Sequence, residues 1–133
     1  MKVKDFPLAL NDANTVIKLK HDASSYCNRG AAYLDMKQFD NALKDFSTAL
    51  HLNPSSAPAY DGLGETAYRL GKYQESIAYC NRALYLDPRW TDALYFRGKS
   101  YEALGKKTLA QKDIGSALSR GYKPGEPFVL SEK

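Results

Sequence analysis

The chain is short of everything that marks a membrane protein, a disulfide scaffold or a metal enzyme. Its 133 residues contain two cysteines, two histidines, two methionines and one tryptophan. No apolar run approaches the length needed to cross a bilayer. The start, MKVKDFPLALNDANTVIKLK, has lysines but no continuous apolar stretch and no small-residue cleavage site, so it does not read as a secretory signal. Cys27 and Cys80 are far apart and show no C-x-x-C spacing, which predicts free thiols in a reducing, cytoplasmic setting. His21 and His51 have no metal-ligand spacing with Cys, Asp or each other. GLGETAYRLGK has the wrong spacing for a phosphate loop and no strand before it, and proline occupies the middle of NPS at Asn53, which spoils that glycosylation signal. No local Ser-His-Asp set can be assembled. No catalytic residue, metal or cofactor is expected, and the chain is read as a non-enzyme. The net charge of +4 comes from scattered basic residues rather than a basic face, so neither nucleic acid nor a membrane surface is the expected partner.

What is present is repetition. LNPSSAPAYDGLG at Leu52 and LDPRWTDALYFRG at Leu86 have the same pattern, 34 residues apart. At that offset Gly30, Gly64 and Gly98 superpose, as do Tyr26, Tyr60 and Leu94, and Ala42, Ser76 and Ala110. Phe46, Cys80 and Ile114 follow, then Ala49, Ala83 and Ala117, then Leu50, Leu84 and Leu118; Pro54 and Pro88 match, with Tyr122 in the third slot. Matches at one period mean three copies of one supersecondary unit. The copies span 23–56, 57–90 and 91–122, between an N-terminal extension (1–22) and a non-helical tail (123–133), within one domain.

Each copy predicts two helices. In the first, a large-small pattern at copy positions 4, 7, 8 and 11 shares one face at about 100° per residue: Tyr26, Arg29, Gly30 and Tyr33, or Tyr60, Leu63, Gly64 and Ala67. Gly71 and Gly105 suit a left-handed helix end. The second helix carries Ala42, Phe46, Ala49 and Leu50, and stops before Pro54. Gly30 and Ala42 suit a close approach within a pair, and a large side chain at Gly64 would overpack that contact, costing roughly 1–3 kcal/mol or more. Residues 7–19 predict a degenerate second helix that caps the first copy, with Asp5 as its N-cap and Pro7 in its first turn; TVIKLK alternates enough to leave an extended arm as the competing reading. The tail, with Gly121, Pro124, Gly125 and Pro127, predicts no helix. Repeats of this kind usually end with an extra helix over the last pair, and none is expected here: either the chain is a fragment, or that face is covered by Phe128, Val129 and Leu130, or it meets another protein, a second copy of the chain included.

The pattern resembles the tetratricopeptide repeat. Copy one carries its signature as Tyr26, Gly30, Tyr33, Ala42, Phe46, Ala49 and Pro54, with Arg29 where leucine is usual. Copy two departs at Ala67, Ser76 and Cys80; copy three keeps Gly98, Tyr101, Ala110 and Ala117 but has Lys107 against Phe39 and Tyr73, and loses the proline. The resemblance implies an all-α, right-handed superhelix of three helix pairs, whose first helices line a concave wall that binds a protein or peptide. The residues expected on or beside that wall are Cys27, Asn28, Asp35, Asp61, Glu65, Tyr68, Arg69, Tyr95, Phe96, Lys99 and Glu102. Aromatic anchors ringed by charge suit a peptide groove. One subgroup grips a chaperone's C-terminal carboxylate with Lys, Asn and Arg side chains; the matching positions here are Cys27, Ala31, Gly62, Asp92 and Phe96, and none supplies a cation. Asp61 and Glu65 suit a ligand of basic character instead. The expected role is an adaptor, chaperone or assembly factor. The alternative is a self-associating homodimer or domain-swapped repeat using the uncapped C-terminal face. RNA binding would need a basic wall, against which Asp61, Glu65 and Asp92 argue.

Overall fold

A computed structural model describes residues 6–124, the side chains from Leu8 onward. The expected Asp5 cap and the Phe128, Val129 and Leu130 cover lie outside these residues. The described residues form seven helices and no strand: α1 (Phe6–Leu19), α2 (Ala23–Asp35), α3 (Phe39–Leu52), α4 (Ala57–Arg69), α5 (Tyr73–Leu86), α6 (Thr91–Ala103) and α7 (Lys107–Ser119). α1 is helical to its end, so the extended-arm reading of TVIKLK does not hold.

The local chemistry explains where each helix begins and ends. The Asp22 carboxylate accepts the Ser25 N–H at 2.9 Å, and Ser56 Oγ accepts the Ala59 N–H at 3.3 Å, capping α2 and α4. These Ser25 hydrogen bonds also hold the Asp22 carboxyl below its ordinary pKa. Asn53 and Asp87, each before a proline, are extended and stop α3 and α5. Within each pair the chain turns through a left-handed residue: Gly71 (φ 79°), Gly105 (φ 81°) and, in copy one, Lys37 (φ 61°).

α2/α3, α4/α5 and α6/α7 pack as antiparallel pairs, and α1 packs on α2. The small residues permit this. A Cβ on Gly30 would sit 2.9 Å from the Phe46 ring, and one on Gly64 would sit 2.7 Å from Cys80 Sγ. Ala42, Ala49, Ala83 and Ala117 are fully buried. Ser76, where the other copies have alanine, donates its hydroxyl to the Gly64 carbonyl at 2.7 Å, so its burial leaves no unpaired donor.

Arg29, the departure from the repeat pattern, is part of an ion pair rather than a core filler. It donates to both Asp45 oxygens at 2.7 and 2.8 Å and to Asn14 Oδ1 at 3.1 Å. Arg97 repeats the arrangement with Asp113 (2.7 and 2.8 Å) and Asn81 (2.9 Å). Asn14 thus does on α1 what Asn81 does on α5, which makes α1 the counterpart of the second helix of a pair. It lies 15 residues before Arg29, against 16 for Asn81 and Arg97, so its joint is one residue shorter. Ile17 of α1 is buried, while Val16 and Leu19 are exposed.

Candidate functional site

The first helices of the pairs form an inner layer: α4 packs against both α2 and α6, whereas the backbones of α3, α5 and α7 stay apart from one another. The inner layer therefore offers one continuous wall. α4 brings Asp61, Glu65, Tyr68 and Arg69 to it, and α6 brings Asp92, Tyr95, Lys99 and Glu102. Asp35 stands exposed at the end of α2, close enough to Glu65 to raise that carboxyl's pKa.

Two of the expected wall residues belong elsewhere. Cys27 is 8% exposed, in the first core cluster, with Sγ 3.8 Å from Ser56 Oγ at the start of α4. Burial pushes its thiol pKa up. Phe96 is 7% exposed and packs with Cys80, Ala83 and Ala93; its ring lies 5.6 Å from Tyr68 and 5.4 Å from Tyr95. Both are corrections with one cause. A helix in a stack is packed on two sides, against its own partner and against the neighbouring repeat, so one helical-wheel face undercounts its core. Gly62 occupies the position of Phe96 one repeat earlier, and a Cβ there would run into the Phe46 ring. Asn28 occupies that position on α2 and is exposed.

The remaining residues form a graded wall. Asp61, Glu65, Tyr68, Tyr95 and Lys99 are half-buried; Arg69 and Glu102 are exposed. The cations are already engaged. Arg69 donates to Glu65 (3.0 Å from Nε, with Nη2 at 2.9 Å), and Lys99 donates to Glu102 at 2.8 Å. Among the described residues, neither Asp61 nor Asp92 forms such an ion pair. Asp61 Oδ1 has less than 1 Å² of exposed surface and accepts no hydrogen bond. Burial first, and then the Asp92 charge, holds the Asp61 carboxyl well above its ordinary pKa, while a hydrogen bond from Trp90 pulls the other way. Burial also raises Glu65 and Asp92.

Sequence reasoning missed two contributors. Trp90 lies in the joint before α6 and reaches the Asp61 carboxylate. Tyr122 lies just past α7, where Gly121 (φ 95°) turns the chain back, and its ring rests 4.6 Å from that of Tyr95. Burial and the nearby Asp92, Glu65 and Asp61 charges push its hydroxyl pKa up. A surface depression of about 750 Å³ lies elsewhere, between α1 and α2, lined by Asn11, Asn14, Thr15, Lys18, Arg29 and Tyr33 among others. No helix is long and apolar enough to cross a membrane among the described residues.

Family models described as tetratricopeptide repeat match residues 23–56 and 57–90. The chain is 34% identical over 108 residues to the small glutamine-rich tetratricopeptide repeat-containing protein 2 of Saccharomyces cerevisiae, covering 80% of this chain and 31% of that protein. It is 35% identical over 86 residues to human serine/threonine-protein phosphatase 5, covering 65% of this chain and 17% of that protein. It thus spans about a third or less of the length of these relatives. Among solved structures, MamA superposes with a TM-score of 0.73 at 24% identity, covering 88% of this chain and 69% of that one. The second TPR of Spaghetti (RPAP3), bound to the HSP90 peptide SRMEEVD, superposes with a TM-score of 0.70 at 22% identity, covering 79% and 97%. These likenesses agree with an all-helical superhelix.

Proposed function

Because the chain belongs to the tetratricopeptide repeat family, we propose that it holds a peptide or partner protein against its inner wall and serves as an adaptor, chaperone or assembly factor in a reducing, cytoplasmic setting. Binding, not catalysis, is its work. The observation that carries this reading is the inner layer itself: α2, α4 and α6 present Asp35, Asp61, Glu65, Tyr68, Asp92 and Tyr95 on one surface, on helices whose packing fixes them before a ligand arrives. Such preorganisation spares the protein most of the ordering cost of binding. The RPAP3 domain, of the same fold, binds a peptide.

The test is a paired pull-down from a lysate of the source organism. One bait is the wild-type chain; the other carries Asp61→Lys, Tyr95→Ala and Lys99→Glu and retains its helical circular dichroism. A partner held by the first and lost by the second is the expected result. Identical partners on both baits would refute the inner-wall reading. A second reading, self-association, is favoured by Leu109 and Leu118, 46% and 47% exposed on the last helix. It predicts an apparent size that grows with concentration on a sizing column and falls back in a Leu109→Glu/Leu118→Glu variant.

A further inference from the structure

The match of Asn14 to Asn81, and through the 34-residue period to Ser47, fixes the register of α1. Ala9, Asp12, Ala13 and Val16 then stand where α3 has Ala42, Asp45, Phe46 and Ala49. On α3 these four are buried; Phe46 lies against Gly30, and Asp45 takes two donors from Arg29, both on α2. On α7 the counterparts Ala110, Asp113 and Ala117 are buried too, and Asp113 takes two donors from Arg97 of α6. On α1 the same places are open. Ala9, Asp12 and Val16 are exposed, Val16 to 41%, and Ala13 is half-buried. Ile17 beside them is buried, so the exposure belongs to one face of the helix. α2 is the one described helix whose backbone packs along α1. Among the described residues, Asp12 forms no ion pair. An aspartate at this place is thus met twice in the molecule, each time by an arginine one residue before the glycine of an antiparallel helix. The two-donor fork that both arginines use is geometry that a lysine cannot copy.

We propose that this open face of α1 docks an amphipathic helix of another polypeptide, whose arginine forks onto the Asp12 carboxylate as Arg29 does on Asp45. Residues 1–5 are too few to make a helix as long as α2, which has 13 residues. The arginine-bearing helices α2 and α6 are held in their own pairs, so a second copy of the chain does not suit the face either. The docked helix covers Ala9, Ala13 and Val16 and shields the new ion pair from water, as α2 shields Asp45. Its residue after the arginine is not confined to glycine. The close approach that forbids a Cβ on Gly30 is to the Phe46 ring, 2.9 Å away, and α1 has the smaller Ala13 there. This face is separate from the inner wall, and neither reading depends on the other.

The probe is a fluorescein-labelled peptide with the sequence of α6, TDALYFRGKSYEA, numbered as in the chain and titrated with the full-length protein while fluorescence anisotropy is followed. Saturable binding is expected. Asp12→Asn in the protein, or Arg97→Gln in the peptide, should each weaken it at least ~10-fold, the loss of hydrogen bonds between charged groups. Arg97→Lys in the peptide should also weaken it. Pairing Asp12→Arg protein with Arg97→Asp peptide should recover part of what each change loses alone. Asp12 is exposed, so both of its variants are expected to fold, and circular dichroism checks this. A Gly98→Ala peptide should bind at least as tightly as the parent, since alanine also favours the helix. No saturable binding up to millimolar concentrations overturns the docking face. Binding that survives Asp12→Asn, as exchange with the protein's own α6 would, overturns it as well. A lysine peptide equal to the arginine one, or a charge swap that recovers nothing, overturns the arginine fork. A weaker Gly98→Ala peptide overturns the register.

Discussion

Removing Asp45 should damage the fold far more than replacing the whole ion pair to which it belongs. The Asp45 side chain is 4% exposed and receives two donors from Arg29, whose own side chain is 24% exposed. Asp45→Ala leaves the guanidinium half-buried with Asn14 as its remaining hydrogen-bond partner. Breaking a fully buried pair typically costs ~3–5 kcal/mol. Water can reach the exposed quarter of Arg29, so the expected loss is discounted to ~2–3 kcal/mol. The middle repeat shows another way to fill the same two places: Leu63 stands where Arg29 does and Tyr79 where Asp45 does, both against the first core cluster. Arg29→Leu combined with Asp45→Tyr should therefore come within ~1 kcal/mol of wild type, or exceed it, as apolar replacements of buried pairs often do. Urea unfolding followed by far-ultraviolet circular dichroism on the wild type, Asp45→Ala, the singles Arg29→Leu and Asp45→Tyr, and their double variant closes the cycle. A loss under ~0.5 kcal/mol for Asp45→Ala, or a double variant as weak as the summed singles, would refute the reasoning.

Lys37→Gly should stabilise the chain by ~0.5–1 kcal/mol in the same assay, since a side chain at φ 61° is strained and the matching turns use Gly71 and Gly105. Asp61→Asn should raise the melting temperature at neutral pH. A carboxyl whose folded pKa is raised by burial favours the folded state most at acid pH, and that advantage is lost as pH rises from its unfolded value of 3.8 through its higher folded one. The gap between variant and wild type should accordingly shrink as the pH is lowered toward the unfolded pKa; a gap constant with pH would contradict the burial of that charge. Cys27 and Cys80 should resist a thiol-specific chromogenic reagent until the protein is unfolded, because both are buried and the Cys80 thiol is pushed up to about 12. Rapid labelling of native protein would argue against the core described for α2 to α5.

The helix pairs and their joints were legible because their determinants are local. A proline forces the residue before it to extend, a left-handed glycine ends a helix, and an alanine or glycine recurring at one period marks a close contact. The wall was less legible, because its makeup depends on which neighbour each side chain meets. Cys27 and Phe96 look exposed on a wheel centred on their own pair and are buried by the adjacent repeat. Trp90 and Tyr122 reach the wall from outside the inner helices, through turns whose direction no periodicity records. The Arg29–Asp45 pair left a usable signal: Arg97 and Asp113 have the same 16-residue separation, so a departure from the repeat that occurs twice with a matching acid is a coupled pair, not decay.

That alternation gives the stack an order. α6 presents an arginine that asks the preceding helix for an amide, and α5 answers with Asn81; α2 asks the same of α1, which answers with Asn14. α4 presents Leu63 and asks nothing, and the place on α3 that matches Asn81 holds Ser47. The units are therefore not interchangeable bricks. If the middle repeat were excised and its neighbours joined, Arg97 would face Ser47, a residue too short to reach it as asparagine does. Sequence drift within a repeat array can in this way write a parity into its interfaces, so that number and order are specified by side chains and not only by the count of copies.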